Sequence, residues 1–336
     1  MTTSKLRWGI LGCAAIAKGS FIPGVRLSRT GFIQAIASRN FDKAKETAKA
    51  FDIPTYYGSY AELLEDKDID AVYIPLPNHL HTEWTIRAAA AGKHVLCEKP
   101  IALNAAEALR MVEECEKAKV CLAEAFMFRH HPRYQIMKEL IESGEIGELR
   151  NIHGTYTYNH ADKKGNVRFK RAMGGGSIYD IGCYPINAAR FILGQEPVAA
   201  TVQAFFSPDH DDVDMMATGL IEFPNNVALS FDCSMWASPR NTLEILGTTG
   251  RIQAHSAFVS RPNPSSHFFI INVKEMREMV VPYENPYALQ ADDFAYGVWG
   301  VKPPRFEPMD SVRSMRVIDA CLKSARENIR VSIESE

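Results

Sequence analysis

Short apolar runs and amphipathic stretches alternate along the first third of the chain. Residues 6–11, 32–37, 71–76, 94–97 and 120–125 are each long enough for one buried strand, bounded by polar or glycine-containing segments. Between them, residues 42–51, 82–91 and 105–118 carry apolar side chains every three or four positions, the period of a helix with one buried face. Asn104 is placed to cap the last of these, and Gly92 to stop the second. Strand and helix in regular succession predict a parallel sheet joined by right-handed crossovers.

Beyond a helical stretch at 132–143 the period changes. Residues 149–158, 199–206, 215–223, 227–234, 242–246 and 267–273 alternate apolar with polar positions and are joined by turn signals such as Pro224-Asn225-Asn226. This predicts a large, open, mainly antiparallel sheet. Helical patterns at 177–193, 286–298 and 310–327 would cover one of its faces or return to the first domain. The other face would keep apolar side chains for a second subunit, so a homodimer or homotetramer through this sheet is expected. The fold class is therefore α/β: a doubly wound parallel sheet over residues 1–125 for a dinucleotide, then an α+β domain over 126–336 for substrate binding and oligomerisation.

Composition narrows the partners. With 38 basic against 40 acidic side chains, no chain-wide positive field exists to gather nucleic acid or an acidic membrane surface, and a small soluble substrate fits better. The seven cysteines are scattered without a CxxC pair, which argues against both a disulfide framework and a thiolate metal site. No run approaches the roughly 18 apolar residues of a membrane span, and Met1 to Arg7 leads into the first strand without an apolar signal segment. A cytoplasmic location is expected.

The first strand runs into Gly12-Cys13-Ala14-Ala15-Ile16-Ala17, a strand, tight turn and helix start of the kind that receives a pyrophosphate. Gly12 takes the turn position of the G-x-G-x-x-G pattern. Ala17 is acceptable at the third glycine, whereas the methyl of Ala14 at the second sets the phosphate slightly farther from the turn. At the end of the second strand stand Ser38 and Arg39, where a carboxylate would select NAD; a guanidinium with a neighbouring hydroxyl suits a 2′-phosphate, so NADP is expected over NAD. The plain alternative for Arg39 is a solvated cation. The third strand ends in Pro75-Leu76-Pro77-Asn78-His79-Leu80-His81, beside the nicotinamide end of such a site. His79 and His81 lack a third ligand at metal spacing, and no metal site is predicted.

The next strand ends in Glu98-Lys99-Pro100. Ligands of open parallel sheets bind at the carboxyl ends of the strands, so Gly12, Arg39, Asn78, Lys99 and Glu124 should gather at one edge. Proline after Lys99 restricts the backbone there and directs the ammonium, although a snorkelling surface lysine would read alike. In the second half, Gly174-Gly175-Gly176 leads into Ser177, a helix-capping residue, and then Asp180 and Tyr184. Four residues apart on a helix, the last two would share one face, with Pro185 kinking the helix just beyond. A helix-start charge and an amphipathic core tyrosine would give the same pattern. Arg168, just before the glycines, is a candidate for cofactor phosphate or substrate.

Taken together, Gly9-Ile10-Leu11-Gly12-Cys13, Ala37-Ser38-Arg39, Pro77-Asn78-His79-Leu80-His81, the 92–100 segment ending in Glu98-Lys99-Pro100, Glu124-Ala125-Phe126-Met127-Phe128-Arg129 and the triglycine segment with Asp180 resemble the glucose-fructose oxidoreductase/inositol dehydrogenase/MocA family over nearly the whole chain. The resemblance implies a Rossmann first domain, a catalytic or cofactor-orienting Lys99, Asp180 in the substrate site, and a proton donor or acceptor at position 184. Inositol-type members have histidine there. Tyr184 resembles the branch with NADP xylose dehydrogenases, dimeric dihydrodiol dehydrogenases and sugar 3-ketoreductases. The implied activity is NADP-dependent hydride transfer at a carbinol or carbonyl of a sugar or related cyclic alcohol. A phenol ordinarily ionises near pH ~10, and a neighbouring ammonium favours its anion. Some proteins similar to this family are catalytically silent nucleotide-sensing regulators; retention of both Lys99 and Tyr184 favours the enzyme.

Overall fold

The computed structural model describes residues 5–163, 165–259 and 266–334. Its elements in chain order are β1 (Leu6–Leu11), α1 (Ile22–Leu27), β2 (Gly31–Ala37), α2 (Phe41–Ala50), β3 (Thr55–Tyr57), α3 (Tyr60–Glu65), β4 (Ala71–Ile74), α4 (His81–Ala90), β5 (His94–Cys97), α5 (Ala105–Ala118), β6 (Leu122–Glu124), α6 (Pro132–Glu142), β7 (Leu149–Asn159), α7 (Cys183–Leu193), β8 (Ala199–Ser207), β9 (Val213–Phe223), β10 (Val227–Ser234), β11 (Trp236–Gly247), β12 (Gly250–His255), β13 (Phe268–Asn272), β14 (Met276–Met279), α8 (Pro286–Val298), α9 (Pro308–Glu327) and β15 (Val331–Ser332). One unit comprises Met1–Met127 and Asn285–Val312, the other Phe128–Glu284 and Arg313–Glu336.

In the first unit six strands pair in parallel in the order β3-β2-β1-β4-β5-β6. The chain starts in the middle, runs out to β3, and returns to build the other half from β4, so β1 and β4 flank the point where strand order reverses and ligands collect. β4 is buried at every position, as a strand covered on both faces must be. Side-chain oxygens of Asn40, Ser59 and Asn104 accept from the N–H groups of Lys43, Glu62 and Glu107, which fixes where α2, α3 and α5 begin. α8 belongs to this unit. Gly24 admits it closely, since a Cβ there would lie 2.5 Å from Tyr287 Cβ. Asp292 Oδ1 accepts from the Thr30 hydroxyl at 2.6 Å and from the N–H groups of Arg29 and Thr30, while Phe294 packs its ring on Trp8 at 5.2 Å.

The second unit is a nine-stranded sheet in the order β14-β13-β12-β11-β7-β10-β9-β8-β15, antiparallel except for the β7–β10 pair. Its register sends Ile152, Leu229, Phe231, Leu243, Ile245 and Ile252 to the face under α7, all of them buried. Gly154 of β7 lets α7 descend onto the sheet, since a Cβ there would meet Pro185 Cβ at 2.5 Å. The opposite face carries Thr201, Phe205, Thr218, Leu220, His153, Glu244 and Arg251, with Phe205 66% and Leu220 44% exposed.

The hydrophobic pattern did not anticipate β3, β12, β14 and β15. β3 and β15 are edge strands of three and two residues, too short to show a period. In β12 only Ile252 and Ala254 point inward among polar residues, and the edge strand β14 is Met-Arg-Glu-Met, exposed at its first three positions. Among the described residues no helix is long and apolar enough to cross a membrane.

Candidate active site

The phosphate-binding turn forms at the end of β1. Gly12 has φ +108°, a conformation that disfavours a side chain, and a Cβ would meet Leu76 Cδ2 at 3.1 Å. Its N–H donates to Ala37 O at 2.8 Å, tying the turn to the end of β2. Cys13 is buried, whereas Ala14, Ala15 and Ile16 at the following helix start are half-buried or exposed. That helix opens with a π-turn, Ala17–Phe21, followed by Pro23 in α1. Pro23 has no N–H to donate and its ring displaces a carbonyl one turn back, so the wider turn accommodates it. Arg39 is exposed at the end of β2; burial raises the Tyr60 phenol while the adjacent Arg39 pulls it back. The Tyr60 hydroxyl also lies 3.8 Å from a Cβ built on Gly12, so Gly12, Leu76, Tyr60 and Arg39 form one cluster. Ser38 is buried, and its hydroxyl accepts from Asn40 N–H at 3.2 Å.

After β4, Pro75 and Leu76 are buried and Asn78 and His79 half-buried. His81 lies differently from the expectation that it touches cofactor. It is fully buried, with Nδ1 2.9 Å from Pro100 O and Nε2 2.8 Å from Leu76 O, and burial pushes its pKa down to about 4. A ring so enclosed has no face for a ligand; it braces the backbone after β4 against the backbone after β5. Beyond β5, Glu98 accepts the Tyr73 hydroxyl at 2.5 Å and Lys99 N–H at 3.2 Å, Lys99 is half-buried, and the Lys99–Pro100 peptide is cis. Tyr73 stacks on Phe21 at 3.8 Å. Glu124 Oε1 accepts Ile101 N–H at 2.9 Å, holding the strand-end loop from β6.

In the second unit, Asp180 lies in a π-turn, Ile178–Gly182, that runs into α7. Pro185 therefore acts before Tyr184 rather than beyond it: the wider turn precedes the proline, and the helix continues unbroken to Leu193. Across this wider turn, residues four apart no longer stack on one face as they do on an α-helix. Asp180 accepts from the Tyr158 hydroxyl and, at 2.8 Å, from Arg168 Nε. Asp180 raises the Arg168 guanidinium, Tyr184 adding to it, so these residues share one electrostatic neighbourhood. Burial, then Asp180, pushes the Tyr158 phenol well up and keeps it a hydrogen-bond donor. Tyr184 is 7% exposed, its ring 5.3 Å from Tyr156 and 5.8 Å from Phe258. Arg168, the candidate for cofactor phosphate or substrate, pairs with Asp180; its sequence position near the glycines gave no sign of that ion pair.

Ser177 does not cap α7 through its own hydroxyl. That hydroxyl instead donates to Asp214 Oδ2 at 2.8 Å, and the same oxygen accepts Ile178 N–H at 2.7 Å. Sequence reasoning missed Asp214 and Tyr158. Tyr158 carried one signal, its in-phase position with Tyr156 on β7; Asp214 carried none. Among the described residues no group of three or more His, Cys, Asp or Glu is arranged to hold a metal.

Residues 6–126 match the oxidoreductase family described as an NAD-binding Rossmann fold, and residues 134–253 match the GFO/IDH/MocA C-terminal domain. An uncharacterized oxidoreductase of Rhizobium meliloti is 38% identical over 95% of this chain and 97% of its own. A D-xylose 1-dehydrogenase (NADP(+)) of Haloferax volcanii is 35% identical over 98% of this chain and 100% of its own. The crystal structure of KijD10, a 3-ketoreductase from Actinomadura kijaniata in complex with NADP and TDP-benzene, superposes with a TM-score of 0.89 at 32% identity, covering 96% of this chain and 98% of that one. With both domains matched in order, the chain belongs to the glucose-fructose oxidoreductase/inositol dehydrogenase/MocA family of nicotinamide-dependent oxidoreductases.

Proposed function

We propose that the protein transfers hydride between NADP and a carbinol or carbonyl carbon of a sugar or related cyclic alcohol. The observation that carries this reading is the enclosed Tyr184 phenol in the electrostatic neighbourhood of Arg168, whose guanidinium, with the Tyr158 hydroxyl, donates to the Asp180 carboxylate. Asp180 offers an acceptor for a substrate hydroxyl, and the Tyr184 phenol is a group that can exchange the proton. The names of the xylose dehydrogenase and the 3-ketoreductase agree with sugar-like substrates and with NADP.

The residues present fit a dinucleotide: a glycine turn that a Cβ would fill, helix-start N–H groups beside small side chains, and the exposed Arg39 for a 2′-phosphate. Gly12, Cys13, Ala14, Ala15 and Ile16 would hold the pyrophosphate, Ser38 and Arg39 the adenosine end, and Pro75, Leu76, Asn78, His79, Glu98 and Lys99 the nicotinamide end. When bound, NADP takes or gives the hydride. Tyr184 takes the substrate hydroxyl proton in oxidation and returns it in reduction; Lys99 would orient the nicotinamide end of the cofactor. A panel of aldoses, keto-sugars and dihydrodiols assayed with NADP and NADPH should give a change in nicotinamide absorbance with at least one member. No change with any, alongside NADP binding, would support a silent sensor instead.

We also propose that two or more copies pair through the open face of the nine-stranded sheet, since Phe205 and Leu220 stand exposed there on adjacent strands. Light scattering should give a multiple of the 37.5 kDa chain mass, and Leu220→Asp should shift it towards the monomer. A wild-type monomer would remove this part of the reading.

A further inference from the structure

We propose that Asp214 is a positioning residue for the reaction, its buried carboxylate fixing the backbone from which Asp180 and Tyr184 are presented. The proposal rests on the roles given above to those two residues. Asp214 is 2% exposed on β9, and a single oxygen, Oδ2, accepts both the Ser177 hydroxyl and the Ile178 N–H at the first residue of the π-turn. The other oxygen lies where a side chain on Gly176 would begin: a Cβ there would overlap Oδ1, and Gly176 has φ +126°. Only glycine meets both demands, which explains why the loop carries its last glycine at this position. Gly176 O in turn accepts Asp180 N–H at 3.0 Å. One carboxylate therefore bonds two consecutive residues, Ser177 and Ile178, and packs against Gly176 before them, whose carbonyl accepts the N–H of Asp180.

A hydrogen-bonded charge in so closed a place costs desolvation, and burial pushes Asp214 up to about 6 against the opposing pull of its bonds from Ile178 and Ser177. The charged or titratable groups facing it are Cys233 of β10, whose thiol burial raises, and Arg326 of α9, which favours the carboxylate. Protonation converts one oxygen from acceptor to donor and weakens the grip. The consequence is a fall in turnover below pH about 6, with cofactor binding unaffected because Asp214 lies in the second unit and the phosphate turn in the first.

The test is the pH profile of kcat for the full-length enzyme and for Asp214→Asn and Ser177→Ala, with NADP affinity read by fluorescence. Asp214→Asn keeps an acceptor oxygen but not the charge; it should lower kcat on the order of 10- to 100-fold, the cost of slight misplacement, leave NADP affinity unchanged, and abolish the acid step. Ser177→Ala removes a donor that favours the charged form, so the step should move to higher pH, a change that mere loss of folding stability does not produce. It also covers the case in which Asp214→Asn fails to fold. Wild-type kcat and an unmoved step in the variants overturn the role of Asp214. Tyr184→Phe run alongside separates the two readings: if it is inactive, only the Asp214 assignment falls, whereas if it is fully active, the site assignment falls and this inference with it.

Discussion

Replacing Tyr184 by phenylalanine is expected to lower kcat by about 10²- to 10⁴-fold, the usual contribution of a positioned general acid-base group, while leaving the dissociation constant for NADP unchanged. The substitution removes one oxygen and keeps the ring that packs against Tyr156, Phe258 and Phe128, so the aromatic cluster under α7 stays filled. A buried phenol at 7% exposure gains little from solvent, and deleting it leaves Asp180 with its bonds from Arg168 and Tyr158. A thermal melt of the variant, which keeps the ring, separates this outcome from a folding defect. Stopped-flow measurement of the hydride step, with NADP binding followed by fluorescence, checks it. Retained turnover would transfer the proton to Lys99 or another group, and lost NADP affinity would show that the ring serves the cofactor instead.

Much of the first unit was legible because its signals are local. Gly12 stands at the end of an apolar run, Asn104 at the start of an amphipathic one, and Lys99 before a proline; each follows from residues within a turn of itself. The partners of Asp180 were not legible for the opposite reason. Tyr158 and Arg168 reach it from 22 and 12 positions earlier, and Asp214 grips Ser177 from 37 positions later, contacts that depend on how the turn before α7 packs on the sheet and its loops rather than on any spacing in the chain. Both π-turns sit where the sequence suggests an ordinary helix start. In each a proline follows shortly after, Pro23 after Ala17–Phe21 and Pro185 after Ile178–Gly182, and in each the irregular turn carries or adjoins residues of the site. A proline about two turns into a helix that follows a glycine-containing loop is thus a readable sign of a widened turn, and with it of the altered side-chain direction that made the one-face reading of Asp180 and Tyr184 too simple.

Arg39→Asp should raise the dissociation constant for NADP by about 100-fold or more, roughly 2.7 kcal/mol, and leave that for NAD the same or lower. The guanidinium stands exposed at the end of β2, next to the Tyr60 hydroxyl and the Gly12 turn, where the adenosine ribose of a dinucleotide lies when its pyrophosphate is on that turn. Two charge-assisted bonds to a dianionic phosphate are lost, and a carboxylate put in their place repels the phosphate as well. The same carboxylate accepts from the two hydroxyls of an unphosphorylated ribose, so NAD loses nothing by the change. Salt provides a second check: wild-type affinity for NADP should fall with ionic strength more steeply than affinity for NAD, and that difference should vanish in the variant. Equal weakening of both cofactors would mean that Arg39 supports the fold of the β2 end rather than reading the phosphate, and would return the choice between NADP and NAD to Ser38 and the α2 N-terminus.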